Sequence, residues 1–113
     1  MRGQRQAPRI GAMRHRVTIE EPVRTSDAGG GAEITWQAVA TVWAELQPRS
    51  GREVFESDQL GGRVTHDVRL RYRDGMTPKM RITHGGRVFD IRFVANVGER
   101  KEWLILACEE RTV

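Results

Sequence analysis

Apolar residues recur at every second position through much of this chain. Val68, Leu70 and Tyr72 alternate with Asp67, Arg69, Arg71 and Arg73, a period of two that places apolar side chains on one face of a half-buried strand. His15, Val17 and Ile19 alternate with Arg16, Thr18 and Glu20, and Pro22 is expected to end that first strand. Residues 33–37 resume the pattern with Ile34 and Trp36 on one face. Residues 39–47 follow after a kink or bulge, with Val42, Ala44 and Leu46 facing one way and Val39, Thr41, Trp43 and Glu45 the other. Sharing a face with Glu45 predicts partial exposure or an edge contact for Trp43; both Trp36 and Trp43 read as sheet-packing residues. Met80 and Ile82 mark a short strand with Arg81 and Thr83 outward. Residues 88–97 form the next, with Phe89, Ile91 and Phe93 on one face. Residues 103–108, Trp-Leu-Ile-Leu-Ala-Cys, are apolar on both faces, as in a strand in mid-sheet or one that closes a barrel.

Turn residues separate these runs. They are Ser26-Asp27-Ala28-Gly29-Gly30-Gly31, Asp74-Gly75 with Thr77-Pro78, and the charged Gly98-Glu99-Arg100-Lys101. His84-Gly85-Gly86-Arg87 is the strongest hairpin signal, because Gly85-Gly86 suits a two-residue primed turn with positive φ. The stretch over residues 43–73 breaks the pattern. A strand ends at Pro48, which has no amide to donate. Ser50 then precedes Glu53 by three residues, the spacing of a capping box. A helix over about 51–59 follows, with only Val54, Phe55 and Leu60 apolar, too few for a full core stripe. Such a helix is either presented to a partner or laid as a lid over the end of a barrel. The whole reads as a mainly β fold of six or seven short strands: a small antiparallel β-barrel with one short helix and a long loop between strands. Strand–helix alternation is lacking, which excludes a parallel α/β sheet.

Composition changes this picture in one place. The 113 residues fit one domain, and the single cysteine, Cys108, excludes an internal disulfide. Apolar runs fall well short of the roughly 20 residues that span a bilayer. The N-terminal arginines are not followed by an apolar core, so no secretory signal is expected. Net charge is +4, and five arginines, Arg2, Arg5, Arg9, Arg14 and Arg16, fall in the first 16 residues without an acid, leaving the remainder at −1. The division expected is a flexible basic arm over residues 1–12 and a barrel domain over 13–113. Arg2, Arg5, Arg9 and Arg14 suit DNA phosphates or an acidic protein surface; a terminus that only aids solubility is the plainer alternative.

Residues that carry chemistry are sparse. His15, His66 and His84 lack metal-ligand spacing and Cys108 has no local partner, so no metal site and no cofactor is expected. Ser57, Asp58 and His66 could be imagined as a triad, but Ser57 lies on no nucleophile elbow. The glycine pairs lack the Lys-Ser/Thr of a phosphate loop. Arg69, Arg71 and Arg73 either line a nucleic-acid surface or pair with acids on a neighbouring strand or subunit. No aromatic interrupts them on that face, so a stacking platform is missing. No catalytic residue is assigned.

The segments Val42-Trp43-Ala44-Glu45-Leu46-Gln47-Pro48-Arg49-Ser50-Gly51-Arg52-Glu53 and, further on, residues 65–82 resemble the head–tail joining, head-closure or stopper proteins of tailed bacteriophages and gene transfer agents. The resemblance runs from about Arg9 to Glu110 and rests on several stretches in the right order. It implies a non-catalytic barrel that forms a homo-oligomeric ring, a dodecamer, below the portal-bound adaptor protein. It implies that the ring closes the DNA-filled head, receives the tail terminator or tail, and sits at the head–tail interface of a particle assembled in the bacterial cytoplasm, without a membrane. In relatives that act as stoppers, the stretch between strands reaches into the channel and holds back double-stranded DNA. The matching residues here are Arg49, Ser50, Arg52, Glu53, Glu56, Asp58, Gly61, Gly62 and Arg63. A small nucleic-acid-binding β-barrel module is the alternative.

Overall fold

The structure is a computed structural model describing residues 13–112. Six strands and one helix follow one another: β1 His15–Ser26, β2 Ala32–Pro48, α1 Gly51–Gln59, β3 His66–Arg71, β4 Arg81–His84, β5 Arg87–Asn96 and β6 Trp103–Glu110. The strands form one antiparallel sheet in the order β1-β2-β3-β6-β5-β4, and β4 returns to β1, so the sheet closes into a barrel. Closure removes most of the unpaired backbone that an open sheet of this size would expose. The inward-facing alternates fill the interior. Val17, Ile19, Val68, Ile82, Phe89 and Leu106 are all fully buried there. Cys108 joins them, its S–H directed to the Leu106 carbonyl, and burial pushes its thiol pKa well up.

The alternation is broken at two bulges, and each re-aims a side chain. On β2, Ala40 opposes Ile19 and Ala38 opposes Glu20, so Val39 is the extra residue, at the kink the sequence anticipates. On β5, Ile91 opposes Cys108 but Phe93 opposes Ala107, which makes Arg92 the extra residue. A one-residue slip moves every later side chain to the other face. Phe93 is therefore 51% exposed rather than sharing the core with Phe89 and Ile91. Val94 packs against the core in its place. A second departure is Pro22, which does not end β1: the strand runs on to Ser26. β4 covers β1 only over Thr18, Ile19 and Glu20, so Pro22 lies on an edge, where a missing amide costs no ladder bond.

β6 is in mid-sheet between β3 and β5, as its two apolar faces require. Ile105 and Ala107 are buried on its outer side, flanked in register by Arg69 and Asp67 on β3 and by Ala95 and Phe93 on β5. The β4–β5 turn takes positive φ at Gly85 (56°) and Gly86 (83°), with His84 opposite Arg87.

Candidate functional site

The helix-bearing excursion leaves the barrel at Pro48 and returns at His66. Its start follows from two side chains. Ser50 Oγ accepts from the Glu53 amide at 3.2 Å, and Glu53 Oε1 accepts from the Ser50 amide at 3.0 Å, a complete capping box. Its end follows from Gly61, whose φ of +88° permits the chain to turn back; the Gly61 amide meets the Asp58 carbonyl and the Gly62 amide that of Ser57. Between these ends α1 buries no residue, and Phe55 and Leu60 are 63% and 88% exposed. The Arg52–Glu56 ion pair links adjacent turns of the helix in solvent. Glu53→Ala is expected to weaken α1 by about 0.5–1 kcal/mol, the value of half a cap. Because α1 buries nothing, helical signal should fall in circular dichroism while the melting temperature of the domain barely moves.

The roots of the excursion are fastened much more firmly than its tip. The Arg49 amide bonds the Thr65 carbonyl at 2.9 Å, and the Thr65 amide bonds Cys108 O on β6 at 2.8 Å. Arg49 Nε and Nη2 both donate to Asp67 Oδ1, at 3.2 and 2.9 Å, and Asp67 is only 1% exposed. Ser57 Oγ donates to the Val54 carbonyl and accepts from the amide of buried Val64 at 2.9 Å. The Ser57 hydroxyl thus pins the returning chain. Arg63 reaches Glu109 at 3.9 Å.

Of the residues singled out from the sequence, the fold places Ser50, Arg52, Glu53, Glu56, Asp58, Gly61 and Arg63 on the exposed surface of the excursion, with Gly62 half-buried. Arg49 is different: its side chain is 16% exposed and serves as an anchor to Asp67, a role the sequence alone does not assign. Arg14 is exposed at the other end of β1, while Arg2, Arg5 and Arg9 lie outside the described residues. The arginine row on β3 is engaged. Arg69 bonds Glu45 at 3.3 Å, and the Arg71 guanidinium stacks 4.9 Å from Trp103. Arg16 lies over Trp43 and Arg81 over Trp36 in the same manner. Among the described residues no three His, Cys, Asp or Glu side chains are grouped to hold a metal. One feature that sequence reading missed is an open cavity of about 520 Å³ bounded by Met13, Val42, Trp43, Arg71, Tyr72 and Arg73. Trp43, which is 49% exposed, was its only sign in the sequence.

A titratable cluster sits beside the returning root. His66 Nδ1 meets Thr65 Oγ1 at 2.9 Å, and the ring packs edge-on against Phe89. Arg87 donates twice to Glu110, at 2.8 and 3.0 Å. Burial lowers the His66 pKa below its ordinary 6.5, outweighing the pull of Glu110 in the other direction. The Arg87 hydrogen bond holds Glu110 below its ordinary 4.5. The folded protein therefore binds both protons less readily than the unfolded chain, so acid destabilises it through both. The His66 contribution is complete above pH 6.5 and is lost as pH falls through its lowered value; the Glu110 contribution is lost further down, below 4.5. His66→Gln is expected to flatten the melting profile between neutral pH and about pH 5 and to leave the steeper acid limb, as read by calorimetry across a pH series.

Both the sequence and the fold have relatives among known proteins. A family model described as phage head completion protein matches residues 8–111. The head completion protein gp16 of Bacillus phage SPP1 is 28% identical over 72 residues, which span 64% of this chain and 66% of that relative. A Shigella flexneri 2a protein of known solution structure superposes with a TM-score of 0.70 at 28% identity, over 89% of this chain and 95% of that one. A chain in the virion of a native gene transfer agent particle superposes with a TM-score of 0.63 at 27% identity, over 94% of this chain and 99% of that one.

Proposed function

This chain belongs to the phage head completion protein family, a family of virion structural proteins rather than enzymes, and from that premise we propose that it forms a ring at the head–tail connector of a phage or phage-like particle. The ring docks below the portal and its adaptor, closes the DNA-filled head and receives the tail. The observation that carries this reading is the excursion between β2 and β3: its roots are tied into the barrel by Arg49 and Thr65, with Val64 buried beside them, yet α1 buries none of its own residues. Most connections between neighbouring antiparallel strands need only a few residues. An excursion of this length that gives the core only Val64, at its returning root, is best explained by contact with a neighbour, the channel or the tail. Residues 50, 52, 53, 56, 58 and 61–63 are its contact surface, and the arginines of the first 14 residues face packaged DNA or an acidic neighbour.

Electron microscopy of the native particle tests the reading, with this chain marked by a small terminal tag. The expected result is repeated tag density around the neck axis, between portal and tail. Tag density over the capsid shell, along the tail, or at a single off-axis point would overturn it.

A further inference from the structure

The β1–β2 hairpin outruns the barrel. β1 meets β4 only at Thr18, Ile19 and Glu20, and β2 meets β3 only from Ala44 onward. Beyond those limits the two strands pair with each other alone, from Glu21 opposite Gln37 to Ser26 opposite Ala32. A two-stranded ribbon is marginal by itself in water, and both its edges offer open backbone. Pairing puts Pro22 beside Trp36 and Arg24 beside Ile34 on one face, with Ile34 51% exposed. The ribbon carries Glu21, Asp27 and Glu33 against Arg24, three acids to one base over residues 21–37.

The far end of the same strands carries the opposite character. The cavity of about 520 Å³ is lined by the apolar side chains of Met13, Val42 and Trp43, with Tyr72, and by Arg71 and Arg73. Arg16 lies over Trp43, and Lys101 borders the adjoining groove that shares Arg71 and Tyr72. Asp74 and Glu102 are the acids nearby, so four bases stand against two acids.

We infer that the ribbon of one copy of this chain docks in the Trp43–Arg71–Arg73 cavity of the next copy. Ile34 supplies the apolar wedge, and the acids of the ribbon, Asp27 at its tip and Glu33 on the face opposite Ile34, give it the net negative charge that draws it to Arg71 and Arg73. One chain cannot satisfy itself this way: Arg16, beside the cavity, and Asp27, at the ribbon tip, are 11 residues apart on nearly continuous strand, about 35 Å. Two copies can. Such a contact is heterologous, each chain offering a knob and a hole, and it propagates into a ring when its rotation closes. This rests on the ring proposed above and supplies its lateral interface. The contact is weak between free copies and becomes effective when an adaptor holds many copies together.

Paramagnetic broadening between copies in solution tests it. One copy carries Ala32→Cys with a nitroxide at the ribbon tip; the native thiol, Cys108, is buried and escapes labelling. A second, isotope-labelled wild-type copy is observed at about millimolar concentration. The expected result is broadening at the Trp43 indole and the amides of Arg71, Tyr72 and Arg73, reduced severalfold by added salt and by Arg73→Glu in the observed copy. Broadening centred on the ribbon, or none, would overturn the contact. Ring density at the neck with no such broadening would sink this interface alone; its absence from the neck would sink the ring and leave the broadening to stand as a contact of other purpose.

Discussion

A chain whose residues 50–63 are replaced by a short Gly-Ser linker is expected to fold, stay soluble and fail to complete a particle. The cut keeps Arg49 on one side and Val64 on the other, so the Arg49–Asp67 pair, the Arg49–Thr65 backbone bond and the Thr65–Cys108 bond all survive. It removes α1, which buries no residue, and Phe55 and Leu60, which are already in solvent. The losses that reach the barrel are the Ser57 hydroxyl, which holds the Val64 amide, and the long, half-exposed Arg63–Glu109 pair. One such bond is worth about 1 kcal/mol, so the melting temperature should fall by only a few degrees. The functional loss should be close to complete. In cells producing such particles, heads package DNA and then leak it or fail to accept tails, and electron microscopy of the lysate with a count of infectious or transducing units reads this directly. Normal particle yield from the variant would remove the excursion from the mechanism. A variant that unfolds would make the excursion a part of the core and contradict the burial on which the proposal stands.

Much of this architecture was legible from periodicity. Val68, Leu70 and Tyr72 identify β3 because a half-buried strand must alternate, and the doubly apolar run of β6 marks mid-sheet because both its faces are covered. The capping box located α1 to the residue, since Ser50 and Glu53 leave few alternatives for the first turn. Phe93 was misread because a bulge is a property of two paired strands. Nothing in Ile91-Arg92-Phe93 alone announces that Ala107 and Cys108 will sit opposite only two of them. Pro22 was misread for a related reason. Proline stops a strand only where its amide is needed, and the need depends on how far β4 reaches. The excursion was legible as a polar insertion between patterned strands. Its anchoring was not, because Arg49 and Asp67 lie 18 positions apart, with nothing in the intervening sequence to pair them. The cavity beside Trp43 was legible only as an aromatic on a polar face. Its lining comes from residues near 13, 43 and 72, which only the folded sheet brings together.

Arg49→Ala is expected to be the most destabilising single change in the excursion. Two guanidinium nitrogens donate to one oxygen of Asp67, and that carboxylate is 1% exposed. Hydrogen bonds to a charged group are worth about 1.5–3 kcal/mol, and removing one partner also leaves charge behind in a poorly hydrated site. A loss of about 2–3 kcal/mol follows, or a fall in melting temperature of about 10 °C for a domain this size. Arg52→Ala is the matched control. Its partner Glu56 is four residues on, both side chains are largely in solvent, and such a pair is worth less than about 0.5 kcal/mol. Calorimetry of the two variants separates anchor from surface, and equal melting temperatures would show that Asp67 is held without Arg49. Arg49→Lys restores charge but not the two-pronged geometry, so it should recover part of the stability. The same pair fixes where the excursion leaves the barrel. Arg49→Lys should therefore complete fewer particles than its stability alone predicts, because a helix that buries nothing is aimed only by its roots.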